Sequence, residues 1–580
     1  MATRIQHQAL LLLVAALVFF ANLGQPRLWD DDEPKNAQCA REMFERGDWI
    51  TPTFNQTLRS DKPALVYWLM ISAYQAFGVS EFAARFWSAL LAVGTTLTTY
   101  HLGRMLFGAR VGFWAGWILA TSLMFVVAGR AATPDSALIF CTTLAMLQFV
   151  RATWGAGPTL AGADALDDYL PKKWPTWASI YAALAAGVLA KGPVALVLPG
   201  AVLGSYLLLV RQAIASPAAP NRFIWWRRAI SPAAWIRVFW KLRPTTGLLM
   251  MTLIAVPWYA AVGVRTDGDW LAGFFGRHNV GRFLAPMEGH RGPIVYYLPA
   301  VLFGFFPWSV LLPAALAQLR RRLKDDRGWA AYLFVTCWAG VWIGFFSLSG
   351  TKLPSYVLPA YPALALLTAA WLEGWIASPQ LVSRWLPRLA WATLAICGAG
   401  VCVGLLVFAR HVLPGDAWVA CVGGPLILSG IAGCVWAGRR PQGAVAVMAA
   451  GSLAFIVVTF GFAAPAISRH QNSEPLVSLA RRLQAGPPRL ATFDYNLPSL
   501  VFYAGNHVEQ FYGADEVARY FAESPEAMLV CTARDFERLK PALPGGVDVV
   551  ARQRRFLRTG EVLLLGRPPE LARRISGADR

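Results

Sequence analysis

Apolar runs recur along most of the chain, parted by short polar connections, and the pattern breaks only after Phe462. A helix needs about 20 mainly apolar residues to cross the hydrocarbon core, because backbone amides in lipid must be satisfied within their own segment. By that ruler the pattern predicts about thirteen spans, near residues 7–24, 83–103, 111–129, 136–152, 176–190, 194–210, 245–264, 294–317, 330–347, 355–375, 389–409, 416–437 and 443–463. The stretch 63–78 is apolar too, but it is short, aromatic-rich and preceded by polar residues, which predicts a helix lying in the interface. The first run follows Arg4, as a signal peptide would, yet "FFANLGQPRLWD" offers no clear small-x-small cleavage site, so a retained first span is expected.

After Phe462 the period changes. "RLATFDYN", "AMLVCTA" and "VDVVARQRRF" read as short strands, and "LPSLVFYAG", "DEVARYFAE" and "RDFERLKPAL" as helices. The expected fold is therefore mainly α: a polytopic membrane helical bundle over residues 1–463, then a small α/β domain over 464–580. That last segment carries neither a glycine-rich phosphate loop nor a nucleophile motif, so a cap or an acceptor-selecting module is expected there.

Composition agrees with the pattern. With 56% hydrophobic residues against 15% charged, this is no ordinary soluble domain. A net charge of +20 would by itself suggest nucleic acid. Its distribution argues otherwise: Arg104 and Arg110; Arg151, Lys172 and Lys173; Arg211, Arg222, Arg227, Arg228, Arg237, Lys241 and Arg243; Arg320, Arg321, Arg322 and Lys324; Arg384 and Arg388; Arg439 and Arg440 fall in alternate connections. That is the positive-inside arrangement, which predicts a cytoplasmic N-terminus, an outer C-terminal domain and no nucleic-acid partner. Cysteine spacing gives no metal motif and no disulfide framework.

Orientation gathers the unusual polar residues on the outer side. They are Asp32 and Glu33 in the loop 25–80, Asp135 in "GRAATPD", Lys191 in "AKGP", Arg277, His278 and Arg282 in the 265–293 connection, and Lys352 in "SLSGTKLP". Snorkelling into headgroups explains any one of them singly. Together they make a site. A carboxylate there can take a proton from a hydroxyl or amine, and lysines and arginines can hold phosphate. That combination fits transfer from a phosphate-activated donor held in the membrane. The aromatics near the same boundary, Trp49, Tyr67, Trp68 and Tyr356 among them, fit an aromatic belt, with a few free to line a lipid tail or stack on a sugar.

"DDEPKNAQCAREMFERGDWITPTFNQTLRSDKPALVYW", followed by "GVSEFAARFWSAL", resembles the first outer loop of the GT-C membrane glycosyltransferases related to protein O-mannosyltransferases and lipid A aminoarabinose (ArnT-like) transferases. The likeness continues through "AGRAATPDSALIF", "GVLAKGPVALVLP", "HNVGRF" with "GPIVYYLPAVLFGFFPW", and "FFSLSGTKLPSYVLPAYPALALL". It implies a GT-C bundle with periplasmic interfacial helices and an enzyme in the bacterial inner membrane, its active site and C-terminal domain periplasmic. The donor would be a polyprenyl (undecaprenyl) phosphate sugar, transferred with inversion to lipid A, another envelope glycolipid or a protein. Asp32, with Glu33 beside it, matches the acidic motif and implies the catalytic carboxylate. Asp135 matches a second outer-loop acid, and Lys62, Lys191, His278, Arg282 and Lys352 are implied ligands of the donor phosphate. No cofactor is expected, and a divalent metal is left open.

The chain also departs from the aminoarabinose transferases. Pro34, Lys35 and Asn36 stand where a basic residue and a tyrosine are common, and Pro63-Ala64 where "DKPP" is common. Asp30 and Asp31 leave open which acid is catalytic. A protein O-mannosyltransferase-like enzyme is the alternative within the class. A transporter of lipid-linked sugar is the rival outside it, but no internal repeat supports that reading.

Overall fold

A computed structural model of the chain describes residues 2–154, 166–215, 231–286, 289–323, 328–484, 488–524 and 526–567. Arg222, Arg227, Arg228 and Lys324 of the basic connections lie outside the described residues. Among those described, eight helices are long and apolar enough to cross a membrane, and eleven if each of three bent pairs is one span. The expectation of about thirteen differs by two segments. Both are helical, α4 (Glu81–Leu106) and α8 (Trp174–Lys191), but they are not among the helices that apolar test selects. In α4 the reason is Thr95, Thr96, Thr98 and Thr99, each of which donates its hydroxyl to the carbonyl four residues back. That satisfies the hydroxyls inside the helix without an apolar surface. Small residues let α4 pack closely on α5 (Ala109–Ala120): a Cβ on Gly103 would meet Gly112 Cα at 2.6 Å.

The bends have local causes. Between α5 and α6 (Leu123–Arg130) the axis turns by 68°, where Thr121 and Ser122 donate to the carbonyls of Trp117 and Ile118 and the Leu123 amide donates instead to Phe306. Pro257 and Pro307 stand beside the bends of 47° and 114°, each removing a backbone donor.

Three elements of the first outer segment carry the site. Helix α2 (Asp32–Arg46) begins with two acids, which suit the positive end of its dipole, and ends on left-handed Gly47. Strands β1 (Thr53–Phe54) and β2 (Thr57–Leu58) form a small hairpin around Asn55 and Gln56, both at positive φ. Helix α3 (Leu65–Phe77) is 13 residues long, about 20 Å at helical rise, too short to cross.

Beyond the bundle, β3 (Leu490–Phe493), β4 (Glu509–Phe511), β5 (Met528–Thr532), β6 (Asp548–Arg554) and β7 (Glu561–Gly566) make one sheet in the order β4-β3-β5-β7-β6. The first three are parallel, and β7 pairs antiparallel with both β5 and β6. Met528 and Val530 fill the core on one face, Leu529 and Cys531 that on the other, as the two-residue period of a strand requires. The strands and helices expected here are present; β4 and β7 were not foreseen.

Candidate active site

The acidic stretch at the start of α2 divides into three environments. Asp30 turns toward the C-terminal sheet and accepts from the Ser499 amide at 2.9 Å and its hydroxyl at 2.6 Å. Burial pushes its carboxyl above the usual range, although the Ser499 donors oppose this. Glu33 is buried and faces Arg85 of α4, with both carboxylate oxygens 2.8 Å from guanidinium nitrogens. It also accepts from the amides of Trp29 and Ala132, both at 2.8 Å. Asp31 and Asp32 are exposed, and neither carboxylate has a hydrogen bond or ion pair among the described residues.

Asp31 and Asp32 line a cavity of about 930 Å³, and so do Lys35, Asp61, Lys62, Asp135, Lys191, His278, His290 and Arg282. Four aspartates thus meet three lysines, one arginine and two histidines. Asp135 opens helix α7 (Asp135–Thr153) and Lys191 closes α8, so each charge complements the dipole of its own helix. The two side chains pair with one another, and the Lys191 ammonium lies 5.5 Å from the centroid of the Tyr356 ring. Gly192 allows the next close approach: at φ +86° a Cβ would meet the Phe274 ring at 2.7 Å.

Phe274 belongs to a π-helical turn, Ala272–Gly281, that carries His278. Such turns occur often at functional sites. The turn is docked by buried Trp270, whose indole donates to the Arg59 carbonyl at 2.9 Å and stacks on Phe274. His278 Nε2 thereby stands 3.0 Å from Asp61, which Arg59 approaches at 3.4 Å. Burial raises the Asp61 pKa, but Arg59, His278 and Lys62 outweigh it and hold the carboxyl below the usual range. For His278, burial with Arg282, Lys62 and Arg277 outweighs Asp61 and lowers its pKa.

Lys62 is half-buried, with no hydrogen bond and no ion pair within 4.0 Å among the described residues. Burial pushes its pKa down; Asp32 opposes, while Lys191, Arg282 and Arg59 add to the depression. An ammonium so placed gains from any anion that enters the cavity. Part of the remaining wall, including Leu138, Val197, Trp342, Phe345 and Phe346, is apolar and suits a lipid.

Of the residues expected at the site, the fold brings Asp32, Asp135, Lys62, Lys191, His278 and Arg282 together. It turns Glu33 and Lys352 elsewhere. Glu33 is committed to Arg85 and two amides. The Lys352 ammonium donates to the carbonyls of Phe346 and Ser347 at 3.0 and 2.6 Å, capping the helix Trp329–Leu348, whose last carbonyls have no partner in the helix. Sequence reasoning passed over Asp61 and Arg85. Arg85 had a readable signal, a lone guanidinium within a predicted span. Among the described residues, no three histidine, cysteine or carboxylate side chains are placed so that they could hold one metal ion, and all eight cysteines are free.

Known proteins of the same shape now give this geometry a context. Residues 9–272 match the family model described as dolichyl-phosphate-mannose-protein mannosyltransferase. An undecaprenyl phosphate-alpha-4-amino-4-deoxy-L-arabinose arabinosyl transferase of Pectobacterium atrosepticum is 27% identical over 466 residues, covering 79% of this chain and 75% of that one. An uncharacterized protein of Aquifex aeolicus is 29% identical over 398 residues, 67% of this chain and 68% of its own. Among solved structures, ArnT from Cupriavidus metallidurans bound to undecaprenyl phosphate superposes with a TM-score of 0.71 at 24% identity, over 96% of this chain and 97% of that one.

Proposed function

We propose that the chain is a GT-C membrane glycosyltransferase of the protein O-mannosyltransferase and ArnT-like superfamily, and that it moves a sugar from an undecaprenyl-type phosphate carrier to an extracytoplasmic acceptor, lipid A or another envelope glycolipid. It is a multi-pass inner-membrane protein. We place its N-terminus in the cytoplasm, and the cavity and C-terminal domain (464–580) in the periplasm. The observation that carries this reading is the cavity itself. It brings together the carboxylate of Asp32 and the ammonium of Lys62, neither of them hydrogen-bonded or ion-paired among the described residues, with apolar side chains in the same lining.

In this reading the polyprenyl tail lies against the apolar wall and the donor phosphate rests among Lys62, Lys191 and Arg282. Asp32 takes the proton from the acceptor oxygen as that oxygen attacks the anomeric carbon from the face opposite the phosphate. The bond from the anomeric carbon to the phosphate oxygen breaks, and polyprenyl phosphate leaves with its electron pair and its new charge neutralised by the cations. The sugar is inverted and no covalent enzyme intermediate forms. Asp135 orients Lys191, and Asp61 holds His278 at the cavity.

The test compares envelope lipids and proteins, by mass spectrometry, from cells carrying the native chain and Asp32→Asn at equal membrane abundance. A sugar-sized mass present with the native chain and missing with the variant is the expected result. An unchanged product would overturn the role of Asp32. The family match favours a second acceptor class: if the mass sits on a protein hydroxyl, the chain is a protein glycosyltransferase.

A further inference from the structure

At the end of the bundle away from the cavity, several buried polar atoms lie among unpaired arginines. We propose that this cluster binds the phosphate of an anionic phospholipid, where helix α1 (Ala2–Phe20) packs on α4 and α5 beside the last turn of α7. The proposal is independent of the transferase reading and of the cavity that carries it.

The site is built from helix ends. Arg104 lies in the last turn of α4, Arg110 in the first of α5, Arg151 in the last of α7 and Arg4 in the first of α1. None of the four forms an ion pair within 4.0 Å among the described residues. The helices offer them no acid: Glu81 and Asp135 open α4 and α7 at the opposite ends, and α1 and α5 contain none. Arg110 also stands at the positive end of its helix dipole, where an anion is favoured and a cation is not. The charges acting on His101 are Arg104, Arg4 and Arg151, and the one acting on His7 is Arg110, so all are of one sign.

Positive charge at a membrane boundary is ordinary where it reaches water. Here part of the cluster is buried without partners. Tyr100 is 0% exposed and its hydroxyl has no hydrogen-bond partner among the described residues; Arg104 Nε and His7 Nδ1 are buried and unpartnered as well. The three belong together. The Tyr100 ring stands edge-on to His7 at 6.2 Å and to His101 at 5.1 Å, Gln8 Nε2 lies 3.0 Å from His101 Nε2, and Tyr100 feels the charges of Arg104 and Arg4. A hydroxyl, a guanidinium N–H and an imidazole N–H can all donate. Water satisfies a donor but leaves the charge uncancelled, whereas a phosphodiester accepts several hydrogen bonds and brings the missing negative charge.

The surroundings make the ligand a lipid. On α1, Leu11, Val14 and Val18 are buried against the bundle, whereas Ile5, Leu12 and Leu13 face the other way and are exposed. At 3.6 residues per turn Gln8 falls on the border between the two faces. A headgroup seated among the arginines can therefore lay its acyl chains along Leu12 and Ile5, and basic clefts between helix ends are where anionic headgroups bind. The bound lipid ties α1 to α4 and α5.

The experiment uses the full chain in detergent, stripped of lipid. Phosphatidylglycerol and phosphatidylcholine of the same acyl chains are titrated by native mass spectrometry, with inorganic phosphate as competitor. Phosphatidylglycerol should bind in preference to phosphatidylcholine. R110A/R151A, at exposed positions, should weaken that binding by roughly tenfold and abolish the preference. Y100F should weaken it by about fivefold through the lost hydroxyl. R439A/R440A, an equally basic pair on another connection, should change nothing. R110K/R151K should recover part of the affinity, and a lipid-free unfolding temperature equal to that of native protein excludes misfolding. Equal binding of the two lipids, an unchanged affinity in R110A/R151A or Y100F, or an equal loss in R439A/R440A overturns the proposal. Release of the lipid by inorganic phosphate would overturn the lipid as occupant and assign the cluster to a free anion.

Discussion

At the scale of the residue, four neighbouring acids part ways because only two of them meet hydrogen-bond donors. Asp30 and Glu33 are committed by hydrogen bonds, which leaves Asp31 and Asp32 to the cavity. Removing a general base costs about 10²–10⁴-fold in rate, so Asp32→Asn is expected to lose that much turnover and Asp31→Asn less than about tenfold, read from initial rates. Lys62 makes a pH prediction. Its pKa is lowered by burial, with Asp32 opposing and neighbouring cations adding to the fall, so the ammonium loses its proton at a lower pH than an ordinary lysine. Only the protonated form attracts phosphate. Donor affinity should therefore weaken as pH rises through that depressed value, and Lys62→Arg should flatten this alkaline limb in a donor KM profile.

Among elements, the buried Glu33–Arg85 pair joins α2, α4 and the turn at Ala132. Arg85 also donates to the carbonyls of Leu23, Pro26 and Arg27, so one side chain sets where the first span hands over to α2. Breaking a buried pair from one side costs about 3–5 kcal/mol, because the remaining charge is left without its partner. Glu33→Gln should lower the unfolding temperature in detergent markedly, while Glu33→Gln with Arg85→Met should recover part of the loss. A double variant no more stable than the single would mean that Glu33 does not act through Arg85.

Across the whole molecule, the C-terminal sheet docks on the first outer loop through polar contacts. Asn55, held at positive φ in its hairpin, donates to the Val508 carbonyl at 2.8 Å and accepts from its amide at 3.0 Å. Arg27 meets Glu474 at 2.6 Å, and the Tyr503 hydroxyl accepts from the Leu28 amide and reaches Glu81. Each buried hydrogen bond is worth about 1 kcal/mol, and more when a partner is left unsatisfied. Asn55→Ala should weaken the docking by about 2 kcal/mol, seen as faster proteolysis at the junction with the bundle intact. An unchanged cleavage rate would assign the docking to the remaining contacts.

What the sequence determined by itself was whatever repeats along the chain. The spans were readable because lipid demands a long apolar run wherever a helix crosses, and the strands 490–493 and 528–532 because a short apolar run bounded by polar residues marks a strand covered on both faces. Asp32, Asp135 and Lys191 could be proposed as candidates because charge at a membrane boundary is costly and stands out, and Lys62 because its Asp-Lys-Pro triplet resembles that of the family. Tertiary structure decided the rest. Nothing local separates Asp32 from Glu33, and only the arrival of Arg85 from 52 positions away withdraws Glu33 from the cavity. Lys352 looks like any boundary lysine until two carbonyls at the end of the helix Trp329–Leu348 accept from its ammonium. The pairing of Asp61 with His278, and the pocket shared by Trp29 and Arg558, depend on contacts between distant segments, and an amino-acid pattern carries no record of which distant group will supply a charge or a hydrogen bond.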